Sequence, residues 1–471
     1  MKKRIIIFGG LILMLLLLLN SVEAGHVNCG DTIYQDTVLD SDLLNCPNDG
    51  IIIGANGITL DCNRHSISGP GYSLGYGIYM QDRQNVKVKS CIIRNFKRGI
   101  SLNLSSNNFL NNNNVISNNK GIPLYSSSNN ILDDNNVSSN LYGINIYFSS
   151  NSNNLTYNIA SSNFYNGILI SSSGNNLDSN TANSNNDNGI YLSESSSSNI
   201  LTNNTAKSNG ESGIYLYSSD NNIISENNFS SNSGYGIGLY LSSNNILDNN
   251  AANSNYGNGI TIFGSSGSDN IIANNKANSN DGDGIRLSYS DSNVLTNNSM
   301  SFNYNGIQLW GGSDSNTIIN NNASSNYWNG IFLSSSSENI ITNNPIILNG
   351  KGVSFVSGSE FNIFANNTIK SNYYYGIYTY SSPYNSIYNN FFNNTDNAWS
   401  NGFNLWSTTK TKETNIVGGP LIAGNFWGDY LGRDLNYDGI GDTQIPYNSN
   451  GNIQNGGDYY PLVMPVIRTR V

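Results

Sequence analysis

The chain has 471 residues and a formal net charge of −10, and only 11% of its residues are charged, against about 25% in a typical soluble domain. The negative net charge argues against a nucleic-acid partner, because such partners require clustered Lys and Arg. The 30 tyrosines and the regularly spaced isoleucines exclude a disordered chain, since disordered chains lack aromatic and β-branched residues. A polar chain with a strict apolar repeat is typical of a folded repeat protein.

The N-terminus is typical of an export signal. Basic residues at 2–4 precede an apolar run at 5–19 and a small-residue cleavage site at 22–24, which predicts a signal peptide over residues 1–24. The alternative is an uncleaved signal anchor, although the apolar run is shorter than the ~20 residues of a membrane span. We expect a secreted, extracellular or cell-surface protein with no membrane span after cleavage and a net charge of about −12.

Residues 25–76 are predicted to form an N-terminal cap and the first coils. This part of the chain and the coil after it contain all four cysteines, Cys29, Cys46, Cys62 and Cys91. In an exported protein such cysteines favour disulfides, with three possible connectivities. The alternative is that Cys62 and Cys91 are buried thiols packed between coils. None of the spacings resembles a zinc site.

A Gly-Ile pair organises residues 77–396. Its glycines, with Gly352-Val353 as the one variant, are Gly77, Gly99, Gly121, Gly143, Gly167, Gly189, Gly213, Gly236, Gly259, Gly284, Gly306, Gly330, Gly352 and Gly376. The intervals of 22 to 25 residues mark a solenoid. The residue two places after each Ile is again apolar, except at Thr379. A period of two puts both positions on one face of a strand, whereas a helix needs a spacing of three to four.

Two further apolar positions follow in each coil. The Ile or Leu of an Asn-Ile or Asn-Leu pair comes ten to twelve residues after the glycine, and a third apolar residue follows about six residues later, as at Asn222-Ile223 and Phe229. Three short strands separated by polar corners predict an all-β, right-handed, three-sided parallel β-helix of about fourteen coils with N- and C-terminal caps. Asn tolerates the left-handed backbone of tight corners, and amides stacked at equivalent positions can form a hydrogen-bonded ladder.

Residues 397–471 break the repeat and are predicted to cap the C-terminal end, because an open sheet end must be shielded from edge-to-edge pairing. Within them lies a match to the first half of a calcium loop. The predicted ligands are Asp434, Asn436, Asp438, the carbonyl oxygen of Ile440, and Asp442. The usual Glu at position 12 is replaced by Ile445. The alternative is an Asp- and Asn-rich turn without a metal, and Ca²⁺ is the one cofactor that we predict.

The coils and the C-terminal sequence resemble one known family. Besides the Gly-Ile and Asn-Ile coils, the resemblance is carried by residues 414–420, 424–427, 438–443 and 458–462. They are similar to the NosD-like β-helix proteins, which occur as exported or surface proteins, notably in archaea, within the carbohydrate-binding and sugar-hydrolysing β-helices. The resemblance implies this scaffold over nearly the whole mature chain. The family's usual label also implies copper handling.

Copper sites use clusters of soft or imidazole ligands. The only histidines here are His26 and His65, and the methionines after the signal peptide, Met80, Met300 and Met464, are scattered. We therefore expect no copper site.

Aromatic residues are predicted to stand on the outer face of the first strand of each coil. Those expected to bind carbohydrate are Tyr125, Tyr147, Tyr191, Tyr215, Tyr217, Tyr240, Trp310 and Tyr380. Rings in rows on a rigid polar sheet suit stacking against the apolar faces of sugars, with Asn and Ser nearby for the hydroxyls. The alternative is that Tyr is simply a good strand former with a wettable end. The expected partner is a polysaccharide or glycan surface.

Weak catalytic candidates are Asp281, Asp283 and Arg286, which join two corner carboxylates to an outward-pointing cation. Such a group could bind an acidic sugar or abstract a proton. The leading prediction is a non-catalytic protein with a carbohydrate-binding, envelope or adhesion role. The alternatives are a polysaccharide lyase, epimerase or hydrolase acting on an acidic glycan, and a copper-handling accessory protein. The sequence leaves the oligomeric state open.

Overall fold

The computed structural model describes residues 26–193, 195–264 and 268–465. The predicted signal peptide at residues 1–24 lies outside them. The described chain is a three-sided solenoid of parallel strands, as the repeat predicts. The only helix in these ranges is a 3-10 turn at Ser449–Gly451, and no helix there is long and apolar enough to cross a membrane.

The first side is a sheet of 17 strands in the described chain, each paired with its equivalent in the neighbouring coils. The strands are Asp31–Ile33, Ile51–Ile53, Tyr76–Gln81, Arg98–Asn103, Lys120–Tyr125, Tyr142–Tyr147, Ile168–Ile170, Ile190–Leu192, Ile214–Tyr217, Ile237–Tyr240, Ile260–Phe263, Ile285–Ser288, Asn305–Trp310, Asn329–Ser334, Lys351–Val356, Tyr375–Tyr380 and Asp396–Ser400. The fourteen predicted coils are confirmed, and three strands are added. The additional strands are the first two and the last, which pair in the same way. The second begins at Gly50-Ile51, whereas the first and the last lack a Gly-Ile pair.

The second side is a sheet of 16 strands, and the third side is made of shorter sheets joined by isolated bridges. The strands of the second side are Thr37–Val38, Thr59–Asp61, Lys87–Lys89, Phe109–Asn111, Ile131–Asp133, Asn154–Thr156, Asn176–Asp178, Ile200–Thr202, Ile223–Ser225, Ile246–Asp248, Ile271–Ala273, Val294–Thr296, Thr317–Ile319, Ile340–Thr342, Ile363–Ala365 and Ser386–Tyr388. Those of the third side are Ser66–Ser68, Ile92–Arg94, Asn114–Ile116, Ser299–Ser301, Asn322–Ser324, Pro345–Ile347, Thr368–Lys370, Phe391–Asn393 and Phe426–Trp427.

The aliphatic columns form the core. Ile144 and Ile146 are fully buried and pair with Ile168 and Ile170 of the next coil. One coil alone buries little apolar surface, so the stacking of neighbours creates the core.

The glycine of each Gly-Ile pair is required by close packing. A Cβ atom on Gly259 would lie 2.7 Å from Ala277 Cβ and 2.7 Å from the Gly284 carbonyl oxygen, and its φ is outside the left-handed region. Close approach of the third side and of the next coil's first strand therefore explains these glycines.

Three columns of buried asparagines run along the corners, which confirms the predicted ladder. Asn227 is representative: its Nδ2 donates to Asn250 Oδ1 at 3.0 Å, and its Oδ1 accepts from Asn204 Nδ2 at 3.0 Å. The left-handed backbone conformation that we predicted for the ladder asparagines is found at the residue before each of them. Glu226, before Asn227, has a φ of 59°, and Asn249, before Asn250, has a φ of 53°. That residue makes the turn, and the Asn then points inward to bond the next coil.

Both ends of the solenoid are closed by special contacts. Near the N-terminus, disulfides join Cys29 to Cys46 and Cys62 to Cys91, so one of the three connectivities is realised and the thiol alternative is wrong. At the C-terminal end, Trp427 stacks between Phe392, at 4.6 Å between ring centres, and Tyr447, at 4.4 Å. This aromatic stack covers the last coil.

Candidate functional site

The outer surface of the first side carries three rows of side chains, and we call it the tyrosine face. Because side chains alternate along a strand, each coil offers three outward positions: the residue before the glycine, the second residue after it, and the fourth. We call these the first, middle and third rows. In the strand Tyr142–Tyr147 they are Tyr142, Asn145 and Tyr147.

All eight predicted sugar-binding aromatics lie on the tyrosine face, in two of its rows. The middle row holds Tyr191 and Tyr215, and the third row holds Tyr125, Tyr147, Tyr217, Tyr240, Trp310 and Tyr380. Tyr217, Trp310 and Tyr380 are exposed, and the other five are half-buried.

Rings of the third row stack on one another from coil to coil. The ring centres of Tyr217 and Tyr240 are 5.4 Å apart with an interplanar angle of 6°, and those of Tyr240 and Phe263 are 5.2 Å apart at 11°. Tyr125 and Tyr147 form a similar pair at 5.6 Å. The ring faces that meet in these stacks are therefore covered by the rings of neighbouring coils. A sugar lying over the stacks would meet ring edges and hydroxyl groups.

A notch interrupts the tyrosine face where Gly238 takes the middle-row position. The space measures about 340 Å³, and we call it the Gly238 notch. It is lined by Tyr215, Tyr235, Gly238, Leu239, Tyr240, Asn258, Thr261, Phe263, Arg286 and Ser288. The notch therefore spans four coils and combines aromatic walls with amide, hydroxyl and guanidinium groups.

The bare backbone of Gly238 shapes this notch. A Cβ atom there would lie 2.6 Å from Tyr215 Cδ2 and 3.2 Å from Tyr235 Cδ2, so both rings lean into space that a side chain would fill. Burial, with the charges of neighbouring tyrosines, raises the pKa of Tyr215 to about 12. Its phenol group is therefore protonated near neutral pH.

The three catalytic candidates do not converge. Arg286 lies in the notch, where its Nε donates to Ser288 Oγ at 3.0 Å and its guanidinium lies 5.8 Å from the Trp310 ring centre. Asp283 is buried and accepts a hydrogen bond from Asn305 Nδ2 at 2.8 Å; burial raises its pKa. Asp281 is exposed at the corner.

The predicted calcium-loop residues bond to their own loop. Asp434 accepts from the Gly439 backbone N–H at 2.8 Å, and Asp442 accepts from that of Leu435 at 2.7 Å. Asp438 accepts from Lys410 Nζ at 3.2 Å. In the described chain no group of three or more His, Cys, Asp or Glu side chains is arranged to hold a metal ion. Calcium at Asp434, Asn436, Asp438, Ile440 and Asp442 stays a prediction.

Exposed aromatic residues at one corner were missed by the sequence argument. Tyr327 is 78% exposed and Tyr373 is 70% exposed. With Trp328 and Tyr374 they line a cleft of about 280 Å³. Tyr373 and Tyr374 also line a second cleft of about 340 Å³. The available signal was an aromatic residue directly after a ladder asparagine, as in Asn326-Tyr327.

A larger cleft of about 580 Å³ lies between the last coils and the C-terminal cap. It is lined by Ser386, Tyr388, Leu405, Ser407, Thr408, Thr409, Lys410 and Tyr460. The repeat pattern gave no signal for this cleft, because six of its eight lining residues lie outside the regular strands.

Comparison with known families identifies the scaffold. Residues 32–182 and 165–299 match the model described as right handed beta helix region, and together they cover more than half of the chain. The chain belongs to the right-handed β-helix family. Residues 284–432 of this β-helix protein match the model described as periplasmic copper-binding protein (NosD), so the resemblance expected from the sequence is confirmed.

Solved structures with similar shape are distant in sequence. The A-module of the Azotobacter vinelandii mannuronan C-5 epimerase AlgE4 aligns with 67% of this β-helix chain and 84% of its own, at 15% identity and a TM-score of 0.42. The AlgE6 A-module of the same organism aligns with 80% and 91%, at 15% and 0.41. The Siphovirus 9NA tailspike receptor binding domain aligns with 80% and 71%, at 11% and 0.34. No curated protein matches the chain.

Proposed function

We propose that this β-helix protein binds a polysaccharide along the tyrosine face and does not alter it chemically. The Gly238 notch carries the proposal, because it is a space of about 340 Å³ between aromatic side chains on a rigid sheet. Sugars present an apolar ring face and a rim of hydroxyls. The rings of Tyr215 and Tyr235 suit the former, and the polar lining suits the latter.

Arg286 supplies free hydrogen-bond donors to the notch. Its Nε is used on Ser288, while its terminal amino groups have no hydrogen bond to any described residue. Asn258 and Thr261 are bonded to each other at 2.9 Å across the same floor. A guanidinium held in this way can donate to sugar hydroxyl or carboxylate oxygens.

The proposal stops at binding because the notch lacks an evident proton-transfer group. None of its described lining residues is a carboxylate or a histidine, and the raised pKa of Tyr215 makes that phenol a poor base near neutral pH. Asp283, the nearest candidate in sequence, is buried and bonded to Asn305.

Copper is not part of the proposal, although the NosD model describes copper-binding proteins. All four cysteines form disulfides, and Met80 and Met300 are fully buried in the core. His26 and His65 each lie beside an aspartate in the first coils. These residues do not fit the cluster of soft or imidazole ligands that copper requires.

We place the proposed binding outside the cell or at its surface. The two disulfides near the N-terminus support this location, because disulfides persist in oxidising compartments.

Affinity electrophoresis of the purified chain in gels containing single polysaccharides tests the proposed function. We expect at least one polysaccharide to retard the wild type, and Tyr215→Ala and Gly238→Ala to weaken that retardation at least about tenfold, because each removes or fills part of the notch. Tyr157→Ala is the control, since Tyr157 is 61% exposed and lies off the tyrosine face. If no polysaccharide retards the wild type, or if all three variants behave alike, the proposal is wrong.

A further inference from the structure

Near the N-terminal end of the tyrosine face, two cations lie against tyrosine rings. The Lys120 ammonium is 4.9 Å from the ring centre of Tyr147 and 5.7 Å from that of Tyr142, and it donates to the Tyr125 hydroxyl at 3.1 Å. The Arg98 guanidinium lies 4.7 Å from the Tyr125 ring centre. We call these five residues the Lys120 cluster.

No carboxylate neutralises the two cations of the Lys120 cluster. The four ion pairs of the described chain involve His26, His65, Lys89 and Lys410. Arg98 and Lys120 are nevertheless half-buried. Their charges are held by tyrosine rings and by hydrogen bonds to tyrosine hydroxyls, without a carboxylate, and such charges favour an anionic ligand.

Beneath the cations, the middle row contains buried polar groups without partners. Ser101 and Asn145 are 0% exposed, and neither Ser101 Oγ nor either end of the Asn145 amide has a hydrogen-bond partner in the described chain. Pro123, which lies across from Asn145 in the row, has no side-chain donor. Buried polar groups are nearly always paired, so three such atoms within three neighbouring coils of one row point to a missing ligand.

The charge distribution along the chain favours the same conclusion. Residues 64–120 contain eight Lys and Arg against one Asp. On either side, residues 25–63 contain six Asp and no Lys or Arg, and residues 121–471 contain ten Lys and Arg against 23 Asp and Glu. An anionic polymer is therefore drawn to the coils of residues 64–120 and repelled by most of the remaining rod.

We infer that the Lys120 cluster binds the acidic group of a charged polysaccharide, either a uronic-acid carboxylate or a sulfate ester. When the Lys120 side chain turns outward, Ser101 and Asn145 donate to the anionic oxygens and Arg98 and Lys120 supply the charge. The rings of Tyr125 and Tyr147 flank the sugar. This inference rests on the proposed function and adds the chemical class of the glycan and a second binding position.

Lys351 is a matched control for Lys120, because both lie in the first row of the tyrosine face. The Lys351 ammonium is 4.1 Å from the Tyr378 ring centre and 5.1 Å from that of Trp328, and it also makes no ion pair with the described residues. Its middle-row neighbour Ser354, however, donates to Asn329 Oδ1 at 2.7 Å. Lys351 thus resembles Lys120 in setting but has no unpartnered polar groups beneath it.

Calorimetric titration with paired probes tests the inference. The probes are a galacturonic-acid hexamer against its methyl ester, and dextran sulfate against dextran. We expect the wild type to prefer at least one acidic probe over its neutral form. Lys120→Gln should weaken that acidic interaction about tenfold, the usual effect of losing one charge-assisted hydrogen bond. Lys351→Gln should leave it unchanged, and the carboxylate and sulfate arms identify which acid is bound.

Asn145→Leu supplies a second readout. Leu169 occupies the equivalent position in the next coil, so leucine fits the row. We expect this variant to melt at a higher temperature than the wild type without ligand, because an unpaired buried amide is removed, and to lose the acidic preference.

Three results overturn the inference while leaving the proposed function intact. They are equal binding of acidic and neutral probes, equal losses in Lys120→Gln and Lys351→Gln, and full acidic binding by Asn145→Leu. Failure of every glycan to bind the wild type removes the proposed function as well.

Discussion

The repeated coils and the C-terminal cap are stabilised by different kinds of buried polar contact. In the coils, each ladder asparagine is neutral and bonds to an equivalent amide above and below it, as Asn227 does. In the cap, one carboxylate gathers several donors. Asp458 Oδ2 accepts from the Asn425 backbone N–H at 2.7 Å and from Trp427 Nε1 at 2.9 Å, and its Oδ1 accepts from the Tyr460 backbone N–H at 2.9 Å.

The difference follows from the repeat: a repeated segment can satisfy its buried polar groups with copies of one residue, and a segment that occurs once cannot. An amide both donates and accepts, so identical residues can bond along a column of any length without burying a charge. At the end of the solenoid the column of asparagines stops. The N–H donors there have no equivalent residue in a next coil to accept from them, and an ionised carboxylate, which only accepts, can satisfy several of them at once. The stability that the amide ladder supplies should therefore be independent of pH, and that supplied by the cap carboxylate should depend on it.

The largest expected effect is the loss of one ladder amide. In Asn227→Leu, the Leu201 and Ser225 carbonyls lose a donor at 2.9 Å, and the backbone and side-chain N–H groups of Asn204 lose their acceptor. Each buried unpaired group costs about 1–3 kcal/mol, so we expect a loss on the order of 4 kcal/mol. Denaturant unfolding followed by circular dichroism measures it.

A half-exposed asparagine provides the control for the ladder variant. Asn154 stands on the outer surface of the second side, where it accepts one hydrogen bond from Asn176 Nδ2 at 2.9 Å. Asn154→Ala should change the free energy of unfolding by less than about 0.5 kcal/mol. If Asn154→Ala and Asn227→Leu shift the midpoint equally, the columns do not carry the stability that we assign to them.

The next effect concerns pH and the cap. Burial raises the pKa of Asp458 from 3.8 to about 6. The folded state therefore holds a proton that the unfolded state has released between about pH 4 and 6, and stability falls as the pH rises through this window. A shift of about 2 pKa units corresponds to about 3 kcal/mol. We expect the cap to unfold at a lower denaturant concentration at pH 7.5 than at pH 4.5.

Substitution at Asp458 separates this effect from those of other carboxylates. Asp458→Asn should be less stable at every pH, because its amide nitrogen would face N–H donors, and its cap should lose the dependence on pH between 4.5 and 7.5. Asp281→Asn, at an exposed corner, should keep the wild-type dependence. A wild-type cap whose stability is flat over this range would contradict the assignment.

The sequence predicted the coils because their physics is periodic. The spacing of 22 to 25 residues and the alternation at Ile144 and Ile146 require a stacked parallel sheet. The strands Asp31–Ile33 and Asp396–Ser400 lack the repeat signature because the chain there pairs through its backbone, and nothing in the pairing demands the Gly-Ile sequence. The cap is built from contacts that occur once, so no repeat could reveal them.

The tyrosine rows were predictable as well, but the chemistry between them was not. Alternation places Tyr217 and Tyr240 outward, yet their near-parallel stacking depends on side-chain torsions that sequence does not give. The Gly238 notch depends on one more glycine in a chain with 47. The unpaired state of Asn145 depends on residues more than twenty positions away, among them Pro123, which lies across from it.

The smallest expected effect is the stabilisation of the cap by calcium, which would add a second charged site to the cap besides Asp458. If the predicted loop holds Ca²⁺, millimolar calcium should raise the melting temperature by about 1–2 °C relative to chelator, because a ligand specific to the folded state stabilises it. Asp438→Asn should remove the shift. Lys410→Ala should enlarge it, since Lys410 competes for Asp438 at 3.2 Å. Magnesium should do little, because it demands a tighter octahedral shell. If calcium changes the melting temperature of none of these proteins, the loop is a turn without a metal. Asp458 is then the one charged group to which we assign an effect on the stability of the cap.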